Sequence, residues 1–128
     1  MASYTFGTTI EGDFSEVIDR VTGALAEEGF GVLTSIDVQA TMKKKLWIDR
    51  EPYVILGACN PPLANQAISA DPAIGALLPC NVVVRKDGDR IAVDFMDPKA
   101  VLTLVDHPDV PALAAEVRDR LERVASRL

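Results

Sequence analysis

Two Cys-Asn dipeptides, Cys59-Asn60 and Cys80-Asn81, constrain this chain more than any other feature. The first closes the apolar run Tyr53-Val54-Ile55-Leu56-Gly57-Ala58 and leads into Pro61-Pro62. The second follows Leu77-Leu78-Pro79 and opens onto Val82-Val83-Val84. Short apolar runs rich in β-branched residues and bounded by proline or asparagine read as strands. Asn60 with Pro61 reads as the cap and first turn of a helix, where proline's missing N–H costs nothing. Strand, cysteine, helix, cysteine and strand therefore follow one another, with the chain's two cysteines at matching junctions. Tyr53–Cys59 is apolar at successive positions, the pattern of a strand covered on both faces or facing a partner subunit. Gly57 within it predicts a bulge or a close backbone approach.

The flanking segments are read from their periodicity. Tyr4, Phe6, Thr8 and Ile10 alternate with Thr5, Gly7 and Thr9, which predicts a half-buried strand. Asp13 and Glu16 have the spacing of a capping box. Phe14, Val17, Ile18, Val21 and Leu25 then mark one face of a helix that Gly29 ends in the left-handed conformation. Val32, Thr34 and Ile36 give a second strand. Asp37 caps a short helix over Val38–Leu46, with Val38, Met42 and Leu46 on one side. Lys43, Lys44 and Lys45 lie near its C-terminal end, where the helix dipole favours cations. Trp47, the single tryptophan, is expected to pack in the core or in an interface. Leu63, Ala64, Ala67 and Ile68 form the buried face of the helix after Asn60, and Asp71-Pro72 starts one more turn. Val82–Lys86 and Arg90–Phe95 flank Asp87-Gly88, a strong hairpin signal. Asp97-Pro98 begins a short helix. After the connector His107-Pro108-Asp109-Val110-Pro111, Leu113, Val117, Leu121, Val124 and Leu128 define the buried stripe of a final helix.

Leu56-Gly57-Ala58-Cys59-Asn60-Pro61-Pro62-Leu63-Ala64 and Leu77-Leu78-Pro79-Cys80-Asn81-Val82-Val83-Val84 resemble the signature segments of the family catalogued as domain of unknown function 302. Glu28-Gly29-Phe30-Gly31-Val32-Leu33 and Ile36-Asp37-Val38-Gln39-Ala40-Thr41 are similar to that family as well, so the resemblance runs through nearly the whole chain in order. It implies one α+β domain over residues 1–128, resembling the TATA-box-binding-protein fold. The expected architecture is a single antiparallel sheet of about five strands with helices mainly on one face, in the order β-α-β(4)-α with extra short helices. The resemblance implies no activity. The run Lys43-Lys44-Lys45-Leu46-Trp47 departs from the family's pattern in its charge and in the bulk of Trp47.

Antiparallel strands flanking the Cys-Asn junctions would put both thiols at the same rim of the sheet, beside a helix N-terminus. Cys59, Asn60, Cys80 and Asn81 are therefore the candidate ligand-binding residues. A thiolate at such a cap suits a sulfur species, a soft metal or a small anion. The competing reading treats both cysteines as small buried hydrophobes and both asparagines as caps.

Other chemistry finds little support. There is no Cys-x-x-Cys, no Walker loop and no dinucleotide fingerprint. Two cysteines and one histidine cannot supply a four-ligand structural zinc site within one chain. His107 reads as a solvated turn residue, and Asp94 with Asp97 is a carboxylate pair by spacing alone. No catalytic residue or cofactor is assigned. The net charge of −6 argues against nucleic acid, whose affinity comes mainly from cationic contacts to phosphate. No apolar run nears the roughly 20 residues a membrane span needs. Met1-Ala2-Ser3-Tyr4-Thr5-Phe6 lacks a signal peptide's basic start and apolar core, which with two cysteines points to reduced thiols in the cytoplasm.

Two function classes follow. The first is a cytoplasmic homodimeric binding module with a small-ligand, sulfur-species or soft-metal site at the Cys-Asn junctions. The second is a structural or protein-interaction domain with inert cysteines. The dimer is expected because strands this apolar do not leave both faces to water.

Overall fold

A helix leaves its first backbone donors unpaired, and a short polar side chain just before it satisfies one of them. The computed structural model, which describes residues 3–128, shows this device at five helix starts. Asp13 accepts from the Glu16 amide, Asp37 from Ala40, Asn60 from Leu63, Asp71 from Ala73 and Asp97 from Lys99. Those caps open α1 (Phe14–Glu27), α2 (Val38–Leu46), α3 (Pro61–Ala70), a 3-10 helix (Pro72–Leu77) and α4 (Pro98–Val101). The last helix, α5 (Val110–Ser126), starts differently. Asp109 provides no side-chain cap, and instead its own amide donates to Nδ1 of His107 at 3.1 Å. His107 thus shapes the turn into α5.

The strands are β1 (Thr5–Ile10), β2 (Gly31–Asp37), β3 (Tyr53–Cys59), β4 (Cys80–Asp87) and β5 (Arg90–Met96). They form one open antiparallel sheet in the order β1-β5-β4-β3-β2. Asp87 pairs with Arg90, so the hairpin loop is Gly88-Asp89, one residue later than Asp87-Gly88. Gly88 supplies the positive φ of 64° that the tight turn requires.

Strand residues alternate between the two faces. Val54, Leu56, Val82, Val84, Val93 and Phe95 are buried on one face, beneath Val17, Val21 and Leu25 of α1 and Val117, Leu121 and Val124 of α5. At the rim of this core Phe6 stacks on Phe95, with ring centroids 5.4 Å apart. Arg118 lies 4.0 Å above Phe6 and bonds Asp97 at 2.6 Å, tying β1 to α4 and α5. The other sheet face carries no helical layer in the core and includes the Arg85–Asp94 ion pair at 2.8 Å. Asp94 and Asp97 therefore serve different ion pairs and form no carboxylate dyad.

The stripe Val38, Met42, Leu46 is at most partly covered: Val38 and Met42 are half-buried, Leu46 is exposed, and no residue of α2 is fully buried. One expectation is corrected here. Trp47, the left-handed C-cap of α2, is 81% exposed, which removes the core alternative for it.

Candidate functional site

The Cys-Asn junctions border a groove of about 320 Å³. Its floor is the β3 and β4 ends at Ala58 and Cys80; Leu63, Ala64 and Ala67 of α3 form one wall, and Leu113 and Val117 of α5 another. Phe30, Leu78 and Pro79 close the sides, while Leu33 and Ile68 stand at the rim with much of their surface exposed. Leu33 reaches that position through a β-bulge. The register passes from Val32 opposite Ala58 to Thr34 opposite Gly57, leaving Leu33 as the extra residue. The irregularity foreseen at Gly57 therefore sits on the neighbouring strand. Gly57 itself provides the close approach: an added Cβ would overlap Oγ1 of Thr34 and lie 2.9 Å from Cγ of Pro79.

The candidate residues separate into three that border this groove and one that does not. Cys59, Asn60 and Cys80 line it. Asn81 does not: it pairs with Gly57, one position after the buried Cys80, and is exposed on the opposite face of the sheet. The expected cysteine pair is also corrected. Cys80 lies opposite Ala58, so Cys59 is one position out of register with it and points to the other side of the strand. Both cysteines are free and they are not neighbours.

The electrostatics oppose thiolate chemistry at Cys80. Burial, with a smaller push from Cys59, raises its pKa from 9.0 to about 11. The folded protein therefore keeps a proton that the unfolded chain releases first. This contribution is intact below pH 9 and is lost as pH climbs from 9 to 11, on the order of 2–3 kcal/mol in all. Denaturation midpoints across that window should fall for the wild type more than for Cys80→Ala. Alkylation of the native protein should reach half-buried Cys59 first and Cys80 only on unfolding. Fast native labelling of Cys80 would show that its thiol is not held neutral.

The N-terminus of α3 is equally closed to anions. Pro61 and Pro62 have no N–H, the Leu63 amide donates to Oδ1 of Asn60 at 3.3 Å, and the Ala64 amide donates to the Asn60 carbonyl at 2.8 Å. Nδ2 of Asn60 donates to the Glu28 carbonyl at 3.4 Å, which also accepts from Arg120 at 3.1 Å. Asn60 is buried and its polar atoms are occupied in holding the end of α1 to the start of α3. Beside it, the buried Glu28 carboxylate takes Arg127 at 2.7 Å and Arg123 at 3.0 Å. The hydrogen bond from Arg127, opposed by burial and aided by Arg123, lowers its pKa below the usual range. Among the described residues no three His, Cys, Asp or Glu side chains gather as a metal's ligands would.

Sequence reading missed the apolar walls, because Leu33, Leu113 and Val117 come from segments distant in the chain. The signal it had was Leu63, Ala64, Ala67 and Ile68, assigned to the buried face of α3. Leu63 and Ala67 are buried, whereas Ala64 is half-buried in the groove wall and Ile68 is exposed at its rim.

A model of the family described as "Domain of unknown function DUF302" matches residues 6–128. The fold is similar to the crystal structure of an uncharacterized conserved DUF302 protein from Bacillus stearothermophilus. The two share 27% identity with a TM-score of 0.91, over 98% of each chain. No curated protein matches this sequence.

Proposed function

The chain belongs to the DUF302 family, and from that premise, which names no activity, we propose a small-molecule binding module whose groove takes an uncharged, largely apolar ligand. One observation carries the reading: among the described residues that line the groove, Asn60 alone has nitrogen or oxygen in its side chain, and its polar atoms are already bonded. An ionic ligand would lose its water there with nothing to replace it. A small apolar one would gain contact on several sides. At about 320 Å³ the groove lies near the lower end of the roughly 300–1,000 Å³ typical of ligand sites. The neutral Cys80 thiol and the exhausted helix donors favour this ligand over an anion, a sulfur anion or a soft metal. Two free thiols suit a reducing compartment, so we place the protein in the cytoplasm. No helix among the described residues is long and apolar enough to cross a membrane.

The test is fluorescence titration with a neutral arylnaphthylamine, which brightens in apolar surroundings. Saturable binding is expected, weakened about tenfold or more by Ala64→Phe, which fills the groove from its half-buried wall. Ile68→Glu, which charges the exposed rim without touching the core, should act in the same direction. Circular dichroism of both variants checks that the fold persists. Absence of saturable binding, or binding indifferent to both changes, would favour the competing reading of a scaffold with inert cysteines.

A further inference from the structure

The helix-free face of the sheet can be mapped side chain by side chain from the strand register. Ile36 stands opposite Ile55, Ile55 opposite Val83, Val83 opposite Asp94, and Asp94 opposite Gly7, so one row crosses all five strands. Directly paired residues of antiparallel strands share a face. Their neighbours along the strands, Val54, Leu56, Val82, Val84 and Val93, are buried under the helices, which puts this row on the open side. A second row on the same side runs through Tyr53, Arg85, Ala92 and Thr9.

This face has two unlike halves. Over β2, β3 and β4 the adjacent side chains of Ile36, Ile55 and Val83 make an apolar ridge; Ile36 is 49% exposed and the other two are half-buried. Over β1 and β5 the side chains are small. Gly7 and Ala92, with Thr5 and Thr9, border a hollow of about 600 Å³. Charges on the face cancel: Arg85 bonds Asp94 at 2.8 Å, and Asp87 stands opposite Arg90 at the hairpin end. Five strands about 4.8 Å apart and six residues of about 3.4 Å give a face of roughly 24 Å by 20 Å. Two such faces bury on the order of 1,000 Å² between them, the size at which specific association begins.

We propose that this face is the contact surface for a second copy of the chain, the two sheets packing face to face about a two-fold axis along the middle strand β4. In the order β1-β5-β4-β3-β2 such an axis carries β2 and β3 of each copy onto β1 and β5 of the other. Ile36 then stands over Gly7, Val83 meets its own equivalent, and each ridge enters the hollow of the opposite copy. The partner is argued from shape and charge together. One surface carries both the ridge and the hollow that receives it, as a two-fold interface requires. Its charges cancel, so like faces do not repel, and the Arg85–Asp94 pair enters the interface already bonded. The apolar groove lies among α3 and α5 on the other side of the sheet, so this pairing is independent of ligand binding there.

Light scattering after gel filtration, at micromolar concentration, should give twice the 13.8 kDa chain mass. Ile36→Lys charges the ridge and Thr9→Glu charges the hollow; each should weaken self-association about tenfold or more. Both positions are exposed in the single chain, so circular dichroism of the variants should match the wild type at high dilution. Mixing the two variants supplies the decisive readout. In the mixed dimer Lys replaces the ridge residue of one copy and Glu lies in the hollow that receives it, while the second ridge and hollow are unaltered. Equimolar mixing of the two monomers should therefore restore the dimer mass. Ile68→Glu, at the rim of the groove on the helical side, should leave the mass unchanged. A wild-type monomer, a dimer that survives both charged variants, one broken equally by Ile68→Glu, or folded variants that stay monomeric when mixed would each overturn the proposal.

Discussion

Replacing Phe95 with alanine should cost about 3–5 kcal/mol, the range for deleting a buried aromatic ring from a core that cannot collapse around the loss. Phe95 is fully buried. It stands on β5 between Phe6 of the edge strand β1 and Val82 of β4. Its ring stacks with Phe6 at an interplanar angle of 17°, and the Arg118 guanidinium lies 4.0 Å from the centre of the Phe6 ring. Removing the ring therefore leaves a cavity and also withdraws the surface on which β1 and the Arg118–Asp97 pair rest. Urea denaturation measures the effect as a shift of midpoint at unchanged slope. Phe6→Ala should cost distinctly less, because Phe6 is only half-buried. A loss at Phe95 below about 1.5 kcal/mol would show that neighbouring side chains refill the space and that the stack is not the anchor of β1.

Gly7→Ala should cost about 2–3 kcal/mol, toward the upper end of what overpacking produces. A Cβ built on Gly7 overlaps the carbonyl oxygen of Val93 and lies 3.0 Å from its carbonyl carbon and 3.1 Å from Cα of Asp94. Every one of those atoms is backbone of β5, which is paired on both sides and has no rotamer to change. Relief can come only if β1 lifts off β5, so amide exchange along Thr5–Ile10 should quicken together with the loss of stability. Gly23, in the middle of α1, has nothing within 4 Å of an added Cβ. There alanine should stabilise by about 0.5–1 kcal/mol through helix propensity. The same substitution would then have opposite signs at two glycines. Equal effects at both would mean that β1 is free to shift.

Much of the fold was legible because it is locally encoded. Asp13, Asp37, Asn60, Asp71 and Asp97 each bond an amide two or three residues ahead, so cap and helix start are read within one short window. Gly29 and Gly88 take positive φ where a helix stop and a hairpin need it. The connector before α5 is local too, but there the Asp109 amide donates to Nδ1 of His107 and no side chain caps the helix. At α2 the apolar stripe does share one side, yet Val38 and Met42 are only half-buried and Leu46 is exposed. Periodicity tells which side chains share a face; it does not tell whether anything lies opposite them.

The site was legible in place and not in character. The junction at Cys59 and Asn60 does border the groove, but a one-residue offset in the β3–β4 ladder separates the thiols and turns Asn81 to the other face. Register is a property of two strands together, so neither strand's sequence carries it alone. Likewise Asn60 looked like a cap with donors to spare for a ligand. Its second bond, to the Glu28 carbonyl 32 residues away, exists only once α1 and α3 have met.

By itself the sequence determined the order of elements, their caps and the face each strand and most helices offer to the core, because those follow from contacts between residues a few positions apart. Tertiary structure alone decided that the cysteines stand apart, that Asn60 is already occupied, that Leu33 is re-aimed to the rim by a bulge, and that Trp47 is left in solvent. Each of these depends on which distant segments come to lie side by side, and the free energy of that choice is shared among residues far apart in the chain.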